Sequence, residues 1–559
     1  MKIKSFLSLF IILVSTLLIF LGTYFLDKAG ISDGHFEKGV WDWLMPDDPV
    51  TAQGFLGSVA EVVCGILAIA ITVVAIIVQL AANRYTSKII DLFINNTVNV
   101  GILSFFIVTS VYGLWVTNSI EVTTNTMNPE TFFPRMGISV YLIFTSVSFI
   151  ILVPYFFYVF YFLKPQNIIN RIKKQADGFL KDACLKNRRL GNDKINKKLQ
   201  GTLYKLQDNL IANIEQLSEM ALSSLTQSDR SLGVDCVKSM QEILTGKNGN
   251  TEGQDLEKGY LDQKRRFSKE WFEVQKKHFG EFDEGIIKEL TLLKYWVEMK
   301  MGQEFLAILI HSLNEERKLV NTIAISTRDI GKKALRLESG SDDAVLRLVK
   351  NSFNTYLKHS IDKEDILSTI DILYQYRFFA EKILQESEDP AVVIDIAHHL
   401  KDHGRIAYVE QMSAVLETIA FDLRSLNEVA FKCYRAANES DEFKKVIHEL
   451  LDIFLTVDDF PERSQDEETL IGVRKSQAIL ASYYMQWENG DFCRELLAKI
   501  ENDMKEEPLE RLKQIKKEIL ECKTEMQPVI DENRPNREYI TLRRKDELVE
   551  FFERLGVDP

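Results

Sequence analysis

The feature that most constrains this chain is the confinement of its long apolar runs to the first 163 of its 559 residues. Four stretches, at 5–26, 55–82, 100–117 and 136–163, approach or exceed the ~20 apolar residues that a helix needs to cross a bilayer. The first is too long for the apolar part of a secretory signal and has no small-residue cleavage site behind it, so it reads as a retained helix. Beyond Leu163 the chain is charged and poor in Pro. Apolar residues there recur three and four apart, as in Leu203, Leu206, Leu210, Ile214 and Leu217, and strand-like alternation is absent. The pattern predicts an all-α membrane protein: four transmembrane helices in 1–163, a basic juxtamembrane helical segment in 164–205, a cytoplasmic helical domain in 206–457, and C-terminal helical hairpins with a tail in 470–559.

Loop charge orients the spans. The N-terminus carries Lys2 and Lys4, and the loop after the second span carries Arg84 and Lys88. The loop from Asp27 to Gly54 is acidic and contains Trp41 and Trp43, and the loop from Asn118 to Arg135 is almost uncharged. Both termini are therefore expected in the cytoplasm. The formal net charge is -13, unevenly spread. Residues 164–205 hold twelve Lys or Arg against three Asp, so a basic collar follows the fourth span. Lys164, Arg171, Lys173 and Lys174 are its candidates for contact with anionic lipid headgroups. The acidic remainder argues against nucleic-acid binding.

The second span has an unusual composition along one side. Gly57, Glu61, Cys64, Ala68, Thr72, Ala75, Gln79 and Ala82 follow one another at three- and four-residue steps, which places them on one helix face among Ile, Val and Leu. Such a face packs closely against another helix or meets water. Glu61 is the sharpest member, because a carboxylate at membrane depth costs a few kcal/mol unless it is paired or hydrated. Gln79 and Asn83 sit nearer the inner end. Amphipathic spacing continues through Tyr85, Ile89, Leu92 and Phe93, so the choice is one helix from Phe55 to Asn95 or two with a break near Asn83. In the fourth span, Pro154 is a candidate kink and the aromatics that follow form an interfacial belt.

Three places in the charged part share a form: a small residue, then an Asp eight positions on, then a new helical pattern. They centre on Ala221 and Asp229, Ala334 and Asp342, and Cys433 and Asp441. Each reads as a helix end, a Ser or Asp cap and a second helix. Gly490 divides a further pair. Stacked hairpins of this kind make an irregular helical-repeat or solenoid-like array. Residues 246–259, 458–469 and 527–536 have loop composition.

Little points to chemistry. The six cysteines contain no CxxC and suit reduced thiols. His399 and His403 share a helix face near His398, Asp395 and Asp402, but the HExxH order is missing and a zinc site takes three or four ligands. No phosphate loop, dinucleotide fingerprint or nucleophile triad is visible, so neither a cofactor nor an enzyme is expected.

Two stretches resemble a bacterial family of uncharacterised predicted membrane proteins, domain of unknown function 2254. The first is Val78-Gln79-Leu80-Ala81-Ala82-Asn83-Arg84-Tyr85, where the family has a Leu-Gln-Leu-Ala-Ser-like helix end followed by an aromatic, a Ser and a basic residue. In the second, Ala221-Leu222-Ser223 is kept, Ser224 replaces a Pro, and Ser228-Asp229-Arg230 stands where the family has Asn-Asp-Pro. The resemblance covers roughly residues 50–245 and implies a multipass bacterial inner-membrane protein without supplying an activity. From the residues themselves, the expected function is an oligomeric channel or pore-like protein biased by its cytoplasmic domain, with Glu61, Thr72 and Gln79 along the path. The alternative is a non-conducting membrane-anchored scaffold or sensor that holds a partner protein.

Overall fold

The computed structural model describes residues 2–28, 49–85, 89–94, 96–120, 134–188, 197–227, 229–246, 260–263, 296–337, 343–387, 389–461, 470–487, 490–522 and 539–557. Of the expected loops at 246–259, 458–469 and 527–536, residues 247–259, 462–469 and all of 527–536 lie outside the described residues. The described chain is all-helical apart from turns, and it divides into two units, Met1–Arg171 and Ile172–Pro559.

The first unit contains α1 (Lys2–Lys28), α2 (Pro49–Arg84), the short α3 (Ile89–Ile94), α4 (Thr97–Ser119) and α5 (Arg135–Phe162). Among the described residues, three helices are long and apolar enough to cross a membrane, those of α2, α4 and α5. The expected first span falls within α1, whose side chains are described from Val14 onward, and it is not among the three. Two apolar clusters fix the up-and-down order. At one end Leu56 of α2 meets Tyr112, Val116 and Ile120 from the end of α4 and Ile138 and Tyr141 from the start of α5. At the other end Val74 and Val78 of α2 meet Phe93, Tyr155, Val159 and Phe162.

The second helix starts earlier than expected, at Pro49 rather than Phe55, because Pro suits the first helical position, where no N–H bond is required. Its 36 residues make it about 54 Å long. It does not continue to Asn95. α2 ends at Arg84 and α3 is a separate helix. The turn from α3 to α4 is built by side chains: Asn96 accepts from the Val98 N–H at 3.0 Å and from the Tyr158 hydroxyl at 2.8 Å, and the Asn99 amide donates to the Phe93 carbonyl at 2.8 Å. Pro154 lies inside α5, as its position predicts.

Helix α6 (Pro165–Arg188) carries the division between the units. The second unit continues with α7 (Lys197–Thr226), α8 (Arg230–Thr245), α9 (Tyr260–Gln263), α10 (Trp296–Ser312), α11 (Arg317–Leu335), α12 (Asp343–Asp362), α13 (Ile366–Glu386), α14 (Val392–Val409), α15 (Ser413–Ala436), α16 (Asp441–Leu455), α17 (Ile471–Met485), α18 (Asp491–Met504), α19 (Leu509–Glu521) and α20 (Leu542–Arg554). Two rows emerge from their packing. In one, α8, α11, α13, α15, α17 and α20 each touch the next; in the other, α7, α10, α12, α14, α16 and α18 do.

One predicted helix start takes the expected form: the Asp229 carboxylate caps α8 at the Leu232 N–H. Ser440 and Gly490 stand at the starts of α16 and α18 without a side-chain cap bond, and the start expected at Asp342 lies outside the described residues. The turns between rows show a repeat that the sequence hides. Asn314, Glu364 and Gln411 take left-handed backbone at φ 64, 54 and 60°. Only the first has a side chain that favours this conformation. Asp365 joins neighbouring turns, accepting from the Asn314 N–H at 2.8 Å with one oxygen and capping α13 with the other.

Candidate functional site

The striped face of α2 does not pack against its own bundle. The packed face is formed by Ala52, Leu56, Ala60, Val63, Ala70, Val74, Val78 and Ala81, all buried. Glu61, Cys64, Ala68, Thr72, Ala75 and Gln79 are exposed and Gly57 is half-exposed; only Ala82, at the end of the stripe, is buried. At 3.6 residues per turn the stripe lies about a third of a turn around from the packed face. A Cβ added to Gly57 would meet nothing within 4 Å, so the surface there is open. Thr72 covers its hydroxyl by donating to the Ala68 carbonyl of its own helix at 2.8 Å. Glu61 is about 34 Å along the helix from Arg84, a separation close to the ~30 Å thickness of a hydrocarbon core. Elsewhere α2 exposes Val62, Ile69, Ile76 and Leu80, a surface compatible with lipid.

A second polar feature, which sequence reasoning missed, joins α1, α4 and α5 at the end of the bundle where α2 begins. Asp27 is buried, and its carboxylate accepts from the Met136 N–H at 3.0 Å and the Gly137 N–H at 3.2 Å. It occupies the N-terminus of α5, where backbone N–H groups are unpaired and the helix dipole favours negative charge. The Tyr112 hydroxyl lies 3.0 Å from the Thr23 hydroxyl and 3.3 Å from the Gly137 carbonyl. Beside it Gly113 lets the Tyr141 ring of α5 lie close against α4, since a Cβ there would stand 2.3 Å from that ring. The available signal was Asp27 itself, an acidic residue inside the end of an apolar helix; a loop assignment for 27–54 concealed it.

The candidate lipid contacts separate. Lys164 and Lys174 are exposed and Arg171 is half-exposed. Lys164 stands 5.7 Å from the Tyr161 ring and Arg171 4.2 Å from the Phe162 ring, so both extend the aromatic belt of α5. Lys173 is a correction. It is buried and ion-paired with Glu242, because it falls on the apolar face of α6 beside Ile172 and Ala176. It does not present its charge to a membrane surface.

His398, His399 and His403 lie on α14, and no set of three metal-ligating side chains occurs among the described residues. His399 is held by the Asp395 carbonyl 2.7 Å from its Nδ1. His403 is largely buried, and desolvation, followed by the nearby His399, pulls its pKa down to about 4.

With this geometry in place, the comparison with known families is decisive for the first part of the chain. Residues 4–227 match the family of predicted membrane proteins DUF2254. The match takes in the whole membrane unit, α6 and α7. It begins earlier than the two stretches that carry the resemblance and stops before α8. No curated protein and no solved structure matches the chain.

Proposed function

We propose that this protein is an oligomeric, pore-like protein of the bacterial inner membrane. In this assignment α1 is the first of four spans, both termini are cytoplasmic, and the second unit is a solenoid-like array that binds a ligand or partner and biases the membrane part. One observation carries it: the face of α2 bearing Glu61, Cys64, Thr72 and Gln79 is turned away from its own bundle. Small residues let helices approach closely, and a polar face is costly in lipid, so both properties favour a second copy of the same helix around an axis. Glu61 then stands at the outer mouth, Thr72 partway along and Gln79 near the inner end. The purified protein in a planar bilayer is expected to conduct, and Glu61→Gln to reduce cation over anion selectivity. Silence under all voltages and salts would overturn the pore.

A second reading, a non-conducting membrane-anchored scaffold, is supported by the two helix rows of the second unit, which offer a long surface to a partner protein. It predicts that Glu61→Leu and Thr72→Leu leave partner capture by the full-length protein unchanged.

A further inference from the structure

The second unit carries a concentrated positive site on α11 and α13, although residues 206–559 are strongly acidic in sequence. Arg328, Lys332 and Arg336 are four apart along α11 and share one face. Lys382 of the neighbouring α13 joins them. Among the described residues, two carboxylates serve these four cations, and each is shared. Asp329 is 2.9 Å from Arg328 and 3.8 Å from Lys332. Glu386 takes a two-pronged contact from Arg336 and also lies 3.4 Å from Lys382. Gln375 accepts from Arg328 at 2.6 Å, and Gln385 accepts from Lys382 at 2.8 Å.

Charge is therefore in excess at the centre. Lys332 has the longest of these contacts, to an acid that already holds Arg328. Burial, followed by Arg328, Lys382 and Arg336, pulls its ammonium below the ordinary lysine range, against the opposing pull of Asp329. Side-chain exposures of 18% for Arg328, 30% for Lys332, 59% for Arg336 and 32% for Lys382 leave all four partly open to solvent. The three α11 positions span about 12 Å, a reach suited to linked phosphoryl groups better than to one carboxylate.

We infer that Arg328, Lys332, Arg336 and Lys382 form a binding site for a multivalent phosphate anion, with Lys332 at its centre. The site is separate from the α2 face and does not depend on the pore. Guanidinium groups supply forked donors and ammonium groups supply point charges, the combination that phosphates select. The anion belongs either to a free phosphate compound or to a phospholipid headgroup.

Calorimetric titration of the full-length protein in detergent with inorganic pyrophosphate tests the site. Binding is expected, weakening at least about tenfold in Lys332→Gln and much less in Lys332→Arg, as loss of one charge-assisted hydrogen bond implies. Lys318→Gln, an exposed lysine at the start of α11, is expected to change affinity less than twofold, and equal helical circular dichroism checks the fold of each variant. Competition by phosphatidylglycerol vesicles but not phosphatidylcholine vesicles, lost in Lys332→Gln, assigns the headgroup source; no competition assigns the free source. No pyrophosphate binding at millimolar concentration, or equal weakening by Lys318→Gln, would overturn the proposal.

Discussion

The two units treat their hydroxyls alike but their charged groups differently, Asp27 in the membrane unit taking backbone N–H groups. In both units hydroxyls turn back on their own helix: Thr72, Thr109, Ser110, Thr117, Ser139, Ser146 and Ser148 in the membrane unit, and Ser312, Thr322, Ser352, Thr369 and Thr418 in the second, donate to the carbonyl four residues earlier. In the second unit, charges bridge successive helices: Arg317 to Asp371, Arg377 to Asp422, and Arg474 to Asp503 and Glu507. Lipid cannot satisfy a polar group, so a membrane helix does so internally, whereas water allows long side chains to find partners on the next helix. An exposed carboxylate is ordinary in the second setting and exceptional in the first. Glu61 stands out for that reason.

The largest expected effect tests the charged bridges. Arg377 and Asp422 are both buried, so Arg377→Ala removes the buried cation that pairs with Asp422 and Glu381 and is expected to cost about 3–5 kcal/mol in chemical denaturation followed by circular dichroism. Replacing the pair together, with Arg377→Met and Asp422→Leu, is expected to recover most of that loss.

Acid sharpens the contrast next. His403 has a depressed pKa of about 4 in the folded protein, so below the ordinary histidine pKa near 6.5 the unfolded chain binds a proton that the native state does not. Stability is expected to fall as pH drops from about 6.5 to about 4, by at most about 3 kcal/mol. His403→Leu is expected to flatten that part of the stability-versus-pH curve; an unchanged slope would count against His403 as its source.

A smaller effect belongs to the membrane unit. Gly113→Ala forces a methyl into the Tyr141 ring and is expected to cost about 1–3 kcal/mol, read as a lower melting temperature in detergent. Gly57→Leu is expected to leave the fold of the protomer unchanged, since open space surrounds it, while disrupting assembly on native gels. Equal effects at the two glycines would erase the distinction between packed and outward faces.

These contrasts were unequally legible in the sequence. The all-helical class and the spans at α2, α4 and α5 follow from hydropathy, and the cap at Asp229 from its side chain. The stripe on α2 was visible, but its direction was not, because periodicity says which residues share a face and not what that face meets. The same gap misassigned Lys173: positive charge near a membrane suggests lipid, while its register on α6 buries it. The contacts of Asp27 and Gly113 and the joining of Arg336 to Glu386 depend on pairing between distant helices, which no local pattern encodes. The left-handed turn at Glu364 has no residue-type signal, since Glu does not favour that conformation.

Cys64 provides the most direct test of the central claim, that the outward face of α2 meets the same face of another copy. Mild oxidation of native membranes should join two chains through Cys64 and double the apparent mass on a non-reducing gel, with Cys64→Ser abolishing the product. A chain that stays monomeric at every oxidant level, with its Cys64 still open to a membrane-permeant maleimide, would contradict it.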